Sequence, residues 1–162
     1  THNGRKFAAS WLLDTGAAAS IISTRQARAL GVTYAPGTQG TDRAALDGVP
    51  KDKQFTLTVG GIGGQKKSAG FFIDSISIPT VERDPLVFRG APVLVVDITV
   101  TDPATKQQVT LDGVLGMNFL VASANVTEGL LPDIGKLTEG AFEWIVFDEP
   151  AGMLGLQLRK ER

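Results

Sequence analysis

Short runs of β-branched and aromatic residues, each broken off by Gly, Pro or Asp, dominate this chain. Nineteen of its 162 residues are glycine. No run is long enough for a sustained helical pattern. Such punctuation restricts the chain to a β architecture with many tight turns. Strands are expected over residues 6–13, 55–59, 69–78, 92–101, 108–111, 142–147 and 153–158. Asp102-Pro103-Ala104-Thr105 reads as a hairpin turn. One early helix is expected, capped by Ser23 or Thr24, with Ala27 and Leu30 on one side and Gly31 as its stop. A second short helix is expected over 118–124. Residues 34–53, 80–91 and 127–140 read as extended loops. No domain boundary is visible, so residues 1–162 are expected to form a single domain.

The residue counts exclude most catalytic chemistries. Cysteine is absent, and the one histidine is His2, near an end expected to fray. A thiol nucleophile and a Cys/His zinc site are therefore excluded, and a Ser-His-Asp triad would need its base at the second residue. No metal or cofactor is expected. Acid–base chemistry falls to carboxylates, lysines or the lone tyrosine, Tyr34. The net charge of −1 makes no footprint for nucleic acid. The longest apolar stretch, near 91–100, is interrupted by Asp97 and is shorter than the roughly 20 residues of a membrane span. The chain starts at Thr1 with no visible signal peptide, which reads as a processed form or an excised piece. Trp11 and Trp144 are expected in the core.

One stretch carries chemistry. Trp11-Leu12-Leu13-Asp14-Thr15-Gly16-Ala17 runs an apolar strand straight into a carboxylate, a small hydroxyl residue and a glycine. A carboxylate at the end of a buried strand is costly unless it is hydrogen-bonded or paired. Gly16 admits a close approach by backbone or partner. The bland reading is an Asp-Thr-Gly turn. Two further elements weigh against it. Val114-Leu115-Gly116-Met117-Asn118 is an apolar pair and a glycine before a helix start. Between them, Gly60-Gly61-Ile62-Gly63-Gly64 reads as a mobile hairpin tip with one apolar side chain.

In this order, the three elements resemble the retropepsin-like aspartic proteases, most closely in pattern the bacterial single-domain members. The resemblance implies an all-β, closed-barrel-like acid protease fold with one or two short helices. It also implies an aspartic endopeptidase. Asp14, Thr15 and Gly16 would be the catalytic motif. Ala17, Ala18, Gly61, Ile62, Gly63, Val114 and Leu115 would lie against substrate, although Val114 and Leu115, with Leu13 and Ile22, read equally well as core. Some retroviral members carry a carboxylate after the Ala, paired with an Arg after the downstream Gly. Here these positions are Ala18 and Met117, so both charges are missing together.

The implied chemistry needs two carboxylates sharing a proton around one water. This chain has a single Asp-Thr-Gly. A homodimer with Asp14 on its two-fold axis is the simplest source of the second. Two alternatives stand beside it: one lobe of a longer two-lobed protease, and a non-catalytic dimerisation or peptide-binding module. The expected partner of an enzyme is an extended polypeptide with apolar side chains beside the cut bond.

Overall fold

The computed structural model describes residues 1–61, 64–81, 84–122 and 142–159. Its framework is one six-stranded sheet in the order β1-β10-β2-β7-β6-β5. The strands are β1 (Trp11–Leu13), β2 (Ile21–Ile22), β5 (Gln54–Gly61), β6 (Gly64–Ile78), β7 (Leu86–Val95) and β10 (Gly113–Leu115). Three two-stranded sheets accompany this sheet among the described residues. They are β3 (Thr33–Tyr34) with β4 (Leu46–Asp47), β8 (Thr99–Thr101) with β9 (Gln108–Thr110), and β11 (Phe142–Asp148) with β12 (Met153–Leu158). Two short helices, α1 (Thr24–Ala29) and α2 (Met117–Ala122), are present among the described residues. The expected all-β acid protease architecture is met.

The early helix forms as its residues dictate. The Ser23 hydroxyl accepts the Gln26 N–H at 3.3 Å, which supplies the N-cap. Ala27 and Leu30 are buried, and Gly31 ends the helix at φ +83°. The Asp102 turn also forms: its carboxylate accepts the Ala104 N–H at 2.8 Å and the Thr105 hydroxyl at 2.7 Å.

Other expectations needed correction. The strand expected over 6–13 is confined to Trp11–Leu13, because its partner β10 is only three residues long. The expected loop over 80–91 ends early, since β7 begins at Leu86 opposite Ile78. The strand expected over 92–101 breaks after Val95. There Asp97 turns its carboxylate to the Thr24 N–H at 2.9 Å and the Thr24 hydroxyl at 2.8 Å, leaving the ladder. β4 and a 3₁₀ turn (Lys51–Lys53) interrupt the expected loop over 34–53. The second helix starts at Met117, one residue early. Its expected end, the loop over 127–140 and the flap-tip residues Ile62 and Gly63 lie outside the described residues.

Two apolar clusters hold the sheet. The larger gathers Ile22, Ala27, Leu30, Val32, Phe71, Val93, Val95, Phe119 and Leu120 between α1, α2 and the sheet. Each fully buried Phe, Leu or Ile contributes about 1.5–3 kcal/mol. The smaller centres on Ile21, Leu94 and Val114. Trp11 packs half-buried against the larger cluster, as expected, but Trp144 is 46% exposed. It stands on the outward face of the β11–β12 hairpin, which has no second sheet layer over it among the described residues.

His2 also departs from expectation. It is 5% exposed, and its ring meets Phe71 edge-on at a centroid distance of 4.8 Å. Its Nδ1 lies 3.2 Å from Asp74 Oδ1, and Asp74 Oδ2 accepts the Asn3 N–H at 2.7 Å. A turn with positive φ at Asn3 and Gly4 folds the segment so that His2 and Arg5 bridge. This anchoring predicts that His2→Ala lowers unfolding stability by about 2 kcal/mol through lost ring packing. A urea midpoint equal to the parent's would show that residues 1–5 contribute nothing to the fold.

Candidate active site

The site is built around a strand inserted into a loop. β1 runs parallel to β10, pairing Trp11 with Gly113, Leu12 with Val114 and Leu13 with Leu115. On its other side β10 pairs antiparallel with β2, Gly113 opposite Ile22 and Val114 opposite Ile21. β10 thus lies between the two arms of the loop that carries Asp14. Three-residue strands are weak by themselves. Here β10 is fixed by a neighbour on each side and by burial of Gly113, Val114 and Leu115, and β1, at the sheet edge, is held by β10.

Asp14 is the first residue past β1. Its N–H donates to the Leu115 carbonyl at 3.1 Å, extending the ladder by one rung. Its Oδ1 accepts the Gly16 N–H at 2.8 Å. That bond offsets part of the cost of holding a half-buried carboxylate at a strand end. A side chain at Gly16 would place its Cβ 3.2 Å from the same Oδ1, crowding the carboxylate. The turn closes through the Ala17 N–H on the Asp14 carbonyl at 3.2 Å. Thr15, Gly16 and Ala18 are exposed, and Ala17 is half-buried. None of the ion pairs among the described residues involves Asp14.

Gly116 passes directly behind this turn. A Cβ there would fall 2.6 Å from the Ala19 carbonyl oxygen and 2.8 Å from that of Ala17. Both obstacles are backbone, so only glycine fits. The next residue, Met117, donates its N–H to the Ala17 carbonyl at 2.8 Å. The apolar-apolar-Gly element of the sequence and the Asp-Thr-Gly element are therefore in direct contact.

The two strands of the glycine-rich hairpin, β5 and β6, pair from Gln54 opposite Phe71 to Gly61 opposite Gly64 at the far end. Along β5, Phe55, Leu57 and Val59 are half-buried and alternate with exposed Thr56 and Thr58. They pack on the smaller cluster, as do Ala17 and Ala19 of the Asp14 loop. Hairpin stem and Asp14 loop thus share one apolar patch. Val114 and Leu115 are 3% and 7% exposed, so their side chains serve the two clusters. Of the expected lining positions whose exposure is described, Leu13, Ala17 and Ala18 offer surface.

Tyr34 drops out as a candidate acid or base. Its hydroxyl donates to the Val95 carbonyl at 2.6 Å and accepts the Ala69 N–H at 3.3 Å. Burial pushes its pKa up. Among the described residues, no group of three His, Cys, Asp or Glu could hold a metal ion, and no helix is long and apolar enough to cross a membrane.

Three polar residues near the site were not picked out from the sequence. Asp112, just before β10, accepts the Ser10 N–H at 3.2 Å and pairs with Arg25 of α1. Its carbonyl accepts the Ser23 N–H at 2.9 Å. Ser20 and Asn118 are buried beneath the loop. Each stands in or beside an apolar run (Ser20-Ile21-Ile22; Met117-Asn118-Phe119-Leu120). A polar residue in that setting signals a buried partner.

The Asp-Thr-Gly turn is thus backed by Gly116, which follows the inserted strand and packs on the carbonyls of Ala17 and Ala19. The chain belongs to the family described as Aspartyl protease, of the retropepsin-like clan, which matches residues 1–119. Comparison with curated proteins and with solved structures gives no match.

Asp112 makes the loop's support dependent on pH. Partial desolvation pushes its carboxyl up, but hydrogen bonds from Gln26, the Ser10 N–H and Arg25, with the Arg25 charge, hold it below the ordinary aspartate value. A depressed folded pKa stabilises the fold above the unfolded value, and that contribution disappears as pH falls through the folded one. The stability gap between the parent and Asp112→Asn is therefore expected to be constant near neutrality and to shrink below the ordinary aspartate range. Denaturant titrations at a series of pH values check this; a gap that widens on acidification contradicts it.

Proposed function

We propose that this chain is an aspartic endopeptidase whose active centre forms between two copies. The observation that carries the reading is the geometry of Asp14. Its carboxylate is half-buried on a turn, bonded to the Gly16 N–H at 2.8 Å and free of any cation among the described residues. An ion-paired aspartate would be held in the ionised form. None of the ion pairs among the described residues occupies this carboxylate, which leaves room for a second carboxylate beside it.

In the assembly we propose, the two Asp14 side chains meet at a two-fold axis, since an isologous contact supplies the same residue twice. Like charges a few ångströms apart cannot both ionise, so the pair retains one proton over a broad pH range. The ionised member takes a proton from a water held between them. That water attacks the peptide carbonyl carbon while the protonated member donates to the carbonyl oxygen. The tetrahedral intermediate then collapses with proton transfer to the leaving nitrogen. Thr15, exposed beside Asp14, would bond across the axis, and Gly116 would support the turn from behind. Ile62, with Gly61 and Gly63, would close over the peptide and exclude water. The half-buried Phe55, Leu57 and Val59, next to Ala17, favour substrates with apolar side chains.

Two experiments test this reading. Mass in solution and cleavage of a peptide library are measured together for the parent and for Asp14→Asn. A dimer that cleaves, is blocked by a statine-type inhibitor and loses at least about 10³-fold in kcat on Asp14→Asn is expected. Cleavage that survives Asp14→Asn overturns the aspartic mechanism, and a strict monomer that still cleaves overturns the dimer.

Ala17 bears on the acid limb. A hydroxyl at that position could hydrogen-bond the ionised carboxylate, and alanine cannot. Ala17→Ser is accordingly expected to shift the acidic limb of the pH–rate profile downward. An unchanged or raised limb contradicts the assignment.

A further inference from the structure

The Asp14 loop is tied to the Gly116 segment by backbone rungs on either side, from the Asp14 N–H to Leu115 and from the Met117 N–H to Ala17. Between them a single side chain makes the connection. Ser20 Oγ accepts the Gly116 N–H at 2.9 Å and donates to Asn118 Oδ1 at 2.7 Å. Asn118 Nδ2 then donates to the Pro92 carbonyl at 3.3 Å. Ser20 is 0% exposed and Asn118 6%. Pro92 belongs to β7 and lies opposite Phe72 on β6, the strand that continues into the glycine-rich hairpin.

Apolar side chains would fill this space without any polar group to satisfy. A buried hydroxyl that both accepts and donates instead fixes the separation of its partners to a few tenths of an ångström. It also sets the price of its removal, since the Gly116 N–H and one Asn118 lone pair would be left unsatisfied. We propose that Ser20 and Asn118 are positioning residues. Their relay fixes the height of the Asp14 turn over Gly116, and so the direction of the Asp14 carboxylate, without touching substrate. The proposal rests on the endopeptidase reading for its catalytic consequence, but its structural part stands apart from it. Two carboxylates acting on one water tolerate little displacement, and a shift of about 1 Å can cost on the order of 10²-fold in rate.

Ser20→Thr and Ser20→Val have nearly the same shape and differ in the hydroxyl. Ser20→Ala against the parent makes the same comparison without added volume. Two readouts are taken: kcat and KM on a cleaved peptide, and amide hydrogen exchange at Gly116. The hydroxyl-free variants are expected to lose about 10- to 100-fold in kcat with KM nearly unchanged, and to exchange the Gly116 amide faster. Ser20→Thr is expected to retain activity and protection better than Ser20→Val. Equal activity in Thr and Val variants, together with equal activity in Ala and parent, overturns the proposal. So does Gly116 exchange that ignores the hydroxyl. If the parent cleaves no peptide yet Gly116 protection follows the hydroxyl, the loop-anchoring role stands and the endopeptidase reading fails.

Discussion

The structure depends on a strand placed between the two arms of a loop. β10 pairs with β1 on one side and β2 on the other, and the residues joining those arms include Asp14. None of these strands exceeds three residues. The arrangement holds because Gly116 lets the backbone of residues 17–19 approach to a distance that any Cβ would forbid. Close backbone contact brings the Asp14 and Met117 N–H groups onto their acceptors. The backbone of the turn that carries the carboxylate is therefore held by main-chain hydrogen bonds on both sides.

Around that contact the fold is arranged in two apolar layers with different duties. The larger cluster buries α1 and α2 against the sheet and supplies most of the apolar stabilisation. The smaller, among the described residues, has three buried members, surrounded by half-buried side chains that include those of the Asp14 loop and the hairpin stem. In the enzyme proposed above, this partly uncovered apolar surface would receive an apolar side chain of the substrate. The absence of charge at Ala18 and Met117 agrees with that character.

Much of the site was legible in the sequence because its signals are short-range. Asp14-Thr15-Gly16 and Leu115-Gly116 each demand a local conformation, and both adopt it. Ser23 and Gly31 likewise bound α1 through local bonds. What escaped was set by distant partners. β1 is short because β10 is short, which no residue of β1 reveals. His2 is buried because Phe71 and Asp74, some 70 positions away, receive it. Trp144 is exposed because no second layer among the described residues covers its hairpin. The bonds from Ser20 to Gly116 and Asn118, and from Ser10 to Asp112, join residues 96, 98 and 102 positions apart, so these roles follow from tertiary contact alone.

The central claim is that one chain carries half of a catalytic centre. The stoichiometry of a transition-state mimic tests it most directly. A statine-type inhibitor titrated calorimetrically into the parent protein should saturate at one molecule per two chains, because its hydroxyl must lie between two Asp14 carboxylates. Saturation at one inhibitor per chain would contradict the account.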